Sequence, residues 1–188
     1  RGAANEKFIM SIISALDKMG LSIQIGIPAF IDRENYSWHF QVKPCDMKNS
    51  DSINEYYYNL GKIQALLYLL GAQDIIPDNL IVIGNCPYII DCESIVSKKF
   101  KHLDSTKISA YLQSSVLETG ILPDWMFNGA NDRSQISSVL FEFDDSNFHL
   151  PKKEGKSYPI TAETLQDLEK GFTDACNFMR AHKLDLLS

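Results

Sequence analysis

Apolar residues recur at helical spacing in two early segments of the chain. Residues 4–19 gather their isoleucines on one face, which predicts a helix with Asn5 as its N-cap and Gly20 as its C-terminal stop. Residues 52–71 carry a wider apolar stripe, and their last two turns are apolar on nearly every side. We therefore expect this second helix to end inside the hydrophobic core.

Segments that are rich in β-branched and aromatic residues predict strands. Residues 21–45 are typical of two strands joined by a polar turn at residues 32–35. The runs "LIVIG" and "YIID", which lie within residues 80–91, predict a hairpin whose turn spans residues 84–87. An amphipathic segment over residues 161–187 predicts a final helix. Helices that alternate with short hairpins indicate an α+β fold.

The composition narrows the range of functions. The chain has 188 residues, enough for one domain or a large piece of one, and its net charge of −6 argues against a nucleic-acid or anionic-membrane surface. No apolar run approaches the roughly 18 residues of a membrane span. The cysteines show neither a CxxC pair nor zinc-ligand spacing with histidine, so free thiols in a reducing cytoplasm are expected: Cys45, Cys86, Cys92 and Cys176.

Acidic and amide side chains surround the predicted hairpin. Asp74 and Asn79 form a D-x-x-x-x-N pair, the spacing of the protein-kinase catalytic loop, in which the acid assists an acceptor hydroxyl and the amide binds magnesium. Asp91 follows at the end of the second strand, where kinases carry a magnesium-chelating acid. Because a hairpin reverses the chain, Asn79 and Asp91 are predicted to lie at the same edge. Hard oxygen ligands of this kind suit Mg²⁺.

Glu93 completes an Asp-x-Glu sequence with Asp91, and several interpretations of these residues stay open. Glu93 would supply a second carboxylate to the metal or hold a neighbouring side chain. From the local pattern alone, Asp74 is equally a helix-end residue, Asn79 part of a turn, and Asp91 a carboxylate that caps a loop. An Asp-x-Glu after such a hairpin is also typical of small-molecule kinases of the aminoglycoside and choline type.

Several further segments, in the same order along the chain, resemble the dehydratase domain of class II lanthipeptide synthetases, the LanM type. The segments that carry the resemblance are "DRENYSWHFQV", "YYYNLGKIQALLYLLGAQD", "NLIVIGNCPYIIDCESI", "SSVLETGILPDW" and "GFTDACNFMRAHKLDLL". The resemblance covers most of the chain. It implies a partial protein/lipid-kinase-like fold, in which residues 1–46 belong to the N-lobe and residues 47–188 form the C-lobe.

The resemblance also implies a two-step reaction. Ser and Thr of a leader-bearing precursor peptide are phosphorylated with ATP and Mg²⁺, and the phosphate is then eliminated to give dehydroamino acids. Asp74 would assist the acceptor hydroxyl, while Asn79 and Asp91 would hold magnesium with Glu93 alongside. The expected partners are this peptide and the remainder of the parent synthetase.

Some residues depart from the family pattern. The family reads Asp-x-His-x-Glu-Asn in the catalytic loop, whereas this chain has Ile76 at the His position and Asp78 at the Glu position. Because Ile76 cannot carry a proton, a pseudoenzyme that only binds a peptide or a partner is a competing hypothesis. The family lysine that contacts ATP is expected upstream of Arg1, and Arg133 is a candidate for the elimination step. A small-molecule phosphotransferase, the other alternative, should lack the "SVLETGILPDW" segment.

Overall fold

The computed structural model describes residues 2–96, 115–126, 135–142 and 147–183. These residues form helices and short antiparallel hairpins, which confirms the α+β expectation. The helices are α1 (Ala4–Met19), α2 (Ile53–Leu70) and α3 (Ala162–Ala181). The paired strands are β1 (Phe30–Asp32) with β2 (Ser37–His39), β3 (Leu80–Ile83) with β4 (Cys86–Ile89), β5 (Asp124–Met126) with β6 (Gln135–Ser137), and β7 (Lys152–Lys153) with β8 (Lys156–Ser157).

The ends of α1 confirm one capping prediction and correct another. Gly20 adopts a left-handed conformation with φ of +105° and ends the helix, as predicted. Asn5 is not the N-cap, because the helix begins at Ala4 and places Asn5 inside its first turn. The Asn5 amide instead donates to the carbonyl oxygens of Cys92 and Glu93, at 3.0 and 3.1 Å. The side chain therefore ties α1 to the loop that follows β4.

Helices α2 and α3 pack against each other at a crossing made by two glycines. The Cα of Gly61 faces the backbone of Leu168 and Phe172, and that of Gly171 faces the backbone of Tyr58. Neither position has room for a Cβ, so the helices approach to backbone contact. This approach buries the apolar stripe of α2, including Leu60 and other core side chains.

One hydrophobic core joins the described parts of the chain. It includes Ile9 and Leu16 of α1, Ile63 of α2, Leu80 of β3 and Leu168 of α3. Side chains on both sides of residue 46 therefore share a core. None of the helices within the described ranges is long and apolar enough to cross a membrane.

The β3–β4 hairpin is the centre of a small strand cluster. Its turn has only two residues, Gly84 and Asn85, because Gly84 adopts a φ of +62° and allows a tight reversal. The predicted turn over residues 84–87 is therefore too long, and Pro87 lies within β4 opposite Val82. Pro87 has no N–H to donate, but this pair exchanges no ladder hydrogen bonds, because the Val82 amide points away from Pro87 and donates to the Phe148 carbonyl.

The other sequence predictions agree with the structure in part. Within residues 21–45 the two predicted strands shorten to β1 and β2, and the turn between them begins at Arg33. Extended backbone on either side joins the central hairpin instead, through bridges from Gly26 to Tyr88 and from Cys45 to Ile83. The predicted final helix ends at Ala181. Two residues singled out from the sequence, Arg1 and Arg133, lie outside the described residues.

Candidate functional site

The C-terminus of α2 leads directly into the candidate site. Gly71 ends the helix in a left-handed conformation with φ of +71°, and its amide donates to the carbonyl of Tyr68. The amide of Ala72 donates to Leu67, which closes the helix end. The chain then leaves the buried helix and reaches the surface at Asp74, which is exposed. The helix end therefore fixes the start of the loop that carries the Asp74 carboxylate.

Asp74 and Asn79 are in direct contact. Asp74 adopts a φ of +62°, a conformation that residues other than glycine seldom take. The Asn79 Nδ2 donates to the Asp74 carbonyl oxygen at 2.9 Å and lies 3.4 Å from its Oδ2. A short 3-10 turn over Pro77–Asn79 makes this contact, with Pro77 at a position where its fixed φ is favourable. The D-x-x-x-x-N spacing thus places the Asp74 acid and the Asn79 amide in direct contact.

The register of the β3–β4 hairpin brings Asn79 beside Asp91. The ladder ends with Leu80 opposite Ile89, and the Ile90 amide extends it by donating to the Asn79 carbonyl at 3.0 Å. Asp91 is therefore one residue beyond the partner of Asn79, at the same edge of the hairpin, as the sequence predicts. An Asp91 carboxylate oxygen accepts the Glu93 amide at 3.0 Å, which fixes the start of the next loop.

The donor set at this edge fits a magnesium ion held by few protein ligands. The Asn79 amide nitrogen is turned toward Asp74, so its oxygen is the atom that faces away and suits a hard cation. Asp91 adds a carboxylate. Among the described residues, no three acidic, histidine or cysteine side chains gather into a metal site. Asp74, Asp91 and Glu93 consequently do not form a three-carboxylate cage, and the roles of Asn79, Asp91 and Glu93 as magnesium ligands stay predictions.

A cysteine within the hairpin does not resemble a nucleophile. Burial raises the pKa of the Cys86 thiol to about 11, so the neutral form dominates at neutral pH. Ile76, at the family's His position, is half-buried beside the fully buried Ile75. Asp74 and Asp78 are both exposed acids of this loop, and Asp74 is the one whose carboxylate lies beside the Asn79 amide.

Sequence reasoning missed the residues that hold the loop from outside. The Gln73 amide donates to the Ser94 carbonyl at 2.9 Å, and the Ile75 amide donates to the Thr119 carbonyl at the same distance. The Asn5 side chain donates to the carbonyls of Cys92 and Glu93, which precede Ser94 in the same loop. No spacing rule links these distant segments to Asp74. The only sequence signal was that "SVLETG" is one of the segments that carry the family resemblance.

Comparison with known proteins identifies a matching family and a relative. Residues 1–158 match the family model described as "Domain of unknown function (DUF4135)". Over 108 residues, 53% of this chain, the sequence is 28% identical to the lacticin 481/lactococcin biosynthesis protein LcnDR2 of Lactococcus lactis subsp. lactis. The match spans 12% of that relative's length. These findings confirm the resemblance to LanM-type lanthipeptide synthetases, and the chain belongs to the DUF4135 family.

Proposed function

We propose that this chain is the kinase-like part of a lanthipeptide dehydratase. It acts on Ser and Thr of a leader-bearing precursor peptide, transfers a phosphoryl group from magnesium-ATP, and belongs to a protein that then eliminates the phosphate. The arrangement of residues 1–46 as part of an N-lobe and residues 47–188 as a C-lobe is part of this proposal. So are the cytoplasmic location and the attachment to the remainder of a synthetase.

The observation that carries the proposal is the grouping of an acid, an amide and a second acid at one edge of a hairpin. Asn79 contacts Asp74 through its side-chain nitrogen, and its ladder partner, Ile90, directly precedes Asp91. Asn79 therefore lies between Asp74, the residue proposed to assist the substrate hydroxyl, and Asp91, the residue proposed to hold the metal. Phosphoryl transfer needs this adjacency, because catalysis rests on positioning and on neutralising charge.

Each residue has a separate task in the proposed reaction. Asp91 and the Asn79 oxygen would hold magnesium, which neutralises charge on the phosphates of ATP. Asp74 would accept or orient the proton of the substrate hydroxyl, and general-base assistance of this kind contributes roughly 10²–10⁴-fold. The exposure of Asp74 supports this role, since a peptide hydroxyl must reach the carboxylate from solvent.

A second candidate function is peptide binding without catalysis. Ile76 favours it, because a half-buried aliphatic side chain stands where the family has a proton-carrying His. In that case magnesium and nucleotide would still bind at the hairpin edge, and no phosphate would reach the peptide.

The test uses the complete protein that carries this chain. It is incubated with magnesium-ATP and with a Cys-, Ser- and Thr-rich precursor peptide encoded beside its gene, and the peptide is followed by mass spectrometry. Phosphate addition or loss of water at Ser or Thr supports the proposal. Asp91→Asn should lower the rate by at least roughly 10²-fold. Glu169→Gln, the same charge change at an exposed position of α3, is the matched control and should leave the rate unchanged.

Two other outcomes separate the alternatives. Magnesium-dependent ATP binding with an unmodified peptide, measured by titration calorimetry, would favour the binding protein. Neither modification nor magnesium-dependent ATP binding would refute both roles for the Asn79–Asp91 edge.

A further inference from the structure

The backbone of Asp74 is held in an unfavourable conformation by contacts from outside its own loop. Its φ of +62° lies in the left-handed region, which a residue with a side chain keeps only when its surroundings impose it. Within the loop, the Asn79 side chain binds the Asp74 carbonyl. The amides on either side of Asp74, those of Gln73 and Ile75, donate to other segments.

One of these outside contacts comes from the 3-10 turn Val116–Thr119 and the glycine that follows it. The Thr119 carbonyl accepts the Ile75 amide at 2.9 Å. Gly120 lies against the same peptide, since a Cβ at this position would lie 3.0 Å from the Ile75 nitrogen and 3.2 Å from its carbonyl carbon and oxygen. Thr119 and Gly120 thus touch the Ile75 backbone by a hydrogen bond and by close packing.

The turn is itself fixed by a buried hydrogen-bond network. Thr119 is 1% exposed, and its Oγ1 donates to the Val116 carbonyl at 2.9 Å and accepts the Ile121 amide at 3.4 Å. The Ile121 carbonyl in turn accepts from Ser138 Oγ at 2.7 Å. Buried bonds of this kind leave the turn little freedom. The turn is therefore rigid enough to fix the position of Ile75.

We propose that Thr119 and Gly120 are positioning residues, which hold the Ile75 peptide so that Asp74 presents its carboxylate to the substrate hydroxyl. This role rests on the proposed function of Asp74 as the residue that assists the hydroxyl. Thr119 and Gly120 act through Ile75 and touch no substrate. Their role explains why a segment far from the hairpin in sequence belongs to the site.

The first test compares two glycine variants with the same backbone requirement. Gly120→Ala places a Cβ against Ile75, whereas Gly155→Ala, at φ of +74°, places one in open space. Both variants carry the cost of a left-handed alanine, so their difference isolates the contact with the loop. Because a misplacement of about 1 Å can cost roughly 100-fold in rate and this contact displaces Ile75 by less, we expect Gly120→Ala to lower kcat for phosphate transfer roughly tenfold relative to Gly155→Ala. KM for ATP should not change, because the metal edge is held by the hairpin.

The second test addresses the Thr119 hydroxyl. Thr119→Val keeps the shape and removes both hydroxyl bonds, whereas Thr119→Ser keeps them. We expect the valine variant to lower kcat without raising KM for ATP, and the serine variant to restore most of the activity. Equal kcat in the alanine pair, or a KM that rises in step with the fall in kcat, would overturn the positioning role.

Amide hydrogen exchange distinguishes failure of this inference from failure of the proposed function. In the complete protein, the Ile75 amide should exchange faster in Gly120→Ala than in Gly155→Ala. If the unaltered protein modifies no peptide, the proposed function fails, and the exchange rate alone decides whether the turn holds the loop. Equal exchange in the two variants would refute the contact itself.

Discussion

The glycine crossing of α2 and α3 predicts an unusual response to alanine. In a helix interior, Gly→Ala normally stabilises by about 1 kcal/mol, because alanine restricts the unfolded chain and favours the helix. At Gly61 a Cβ would overlap the Leu168 carbonyl oxygen and lie 2.8 Å from the Phe172 nitrogen. Carbon contacts prefer about 3.5 Å or more, so relieving the Phe172 contact alone needs a separation of roughly 0.7 Å, and the closer overlap with Leu168 needs more.

The magnitude follows from what must move. The obstructing atoms belong to the α3 backbone, so no side-chain rotation relieves the overlap and the core between the helices has to open. Overpacking of this kind costs about 1–3 kcal/mol, and we place Gly61→Ala near 3 because both neighbours are rigid. After the normal gain from alanine, the net loss is about 2 kcal/mol. For a chain of this size that lowers Tm by roughly 4–8 °C.

Thermal unfolding followed by circular dichroism measures this effect in the purified protein. Asn177→Ala, at an exposed position of α3, introduces the same side chain without an obstructing backbone and should leave Tm unchanged or slightly raised. Gly171→Ala should behave like Gly61→Ala, because its Cβ would overlap the Tyr58 carbonyl. A rise in Tm for Gly61→Ala would mean that the helices do not meet at backbone contact.

Two further predictions concern buried polar groups. Cys45 is exposed, whereas burial raises the pKa of Cys86 to about 11, so roughly a thousandth of Cys86 is thiolate at pH 8. Iodoacetamide should therefore label Cys45 before Cys86. Equal labelling of the two cysteines, measured by peptide mapping, would contradict this. The stability that the neutral Cys86 thiol contributes is complete below its unfolded pKa of 9.0 and is lost as the pH rises toward about 11. Asn59 is 5% exposed and accepts from the Gln24 amide while donating to its carbonyl. Asn59→Asp cannot donate when ionised, so urea unfolding should show a loss of about 2 kcal/mol at pH 7 and a smaller loss at pH 4.

The helices and the hairpin were predictable because local pattern decides them. The apolar stripes placed α1 and α2 within a residue of their observed ends, and Gly20 and Gly71 are stops that a left-handed backbone requires. The closeness of Asp74 and Asn79 also follows from their spacing, and the hairpin returns the chain after β4 to the edge that Asn79 occupies, whereas the catalytic and metal roles of these residues stay predictions.

The errors arose where distant segments compete for the same group. Asn5 is a good N-cap by type, but its amide satisfies the carbonyls of the loop after β4, and no property of residues 1–10 reveals that partner. Cys86 and Pro87 are turn-like in sequence, yet flanking strand-like segments take them into β4. The contact of Thr119 with Ile75 depends on the packing of the whole core and leaves no trace in spacing.

The two halves of the candidate site therefore depend on different parts of the fold. Asn79 is fixed by the end of the hairpin ladder, where its carbonyl accepts the Ile90 amide, and Asp91 is the residue that follows Ile90. Asp74 is fixed by hydrogen bonds to its neighbours from the loop after β4 and from the Val116–Thr119 turn, and by Asn79 itself. Disturbing the packing between these segments should shift Asp74 before it shifts Asn79 and Asp91, the residues proposed to hold magnesium. Phosphate transfer should accordingly be lost at smaller perturbations than magnesium-dependent nucleotide binding, because the hairpin register survives changes that free the Ile75 peptide.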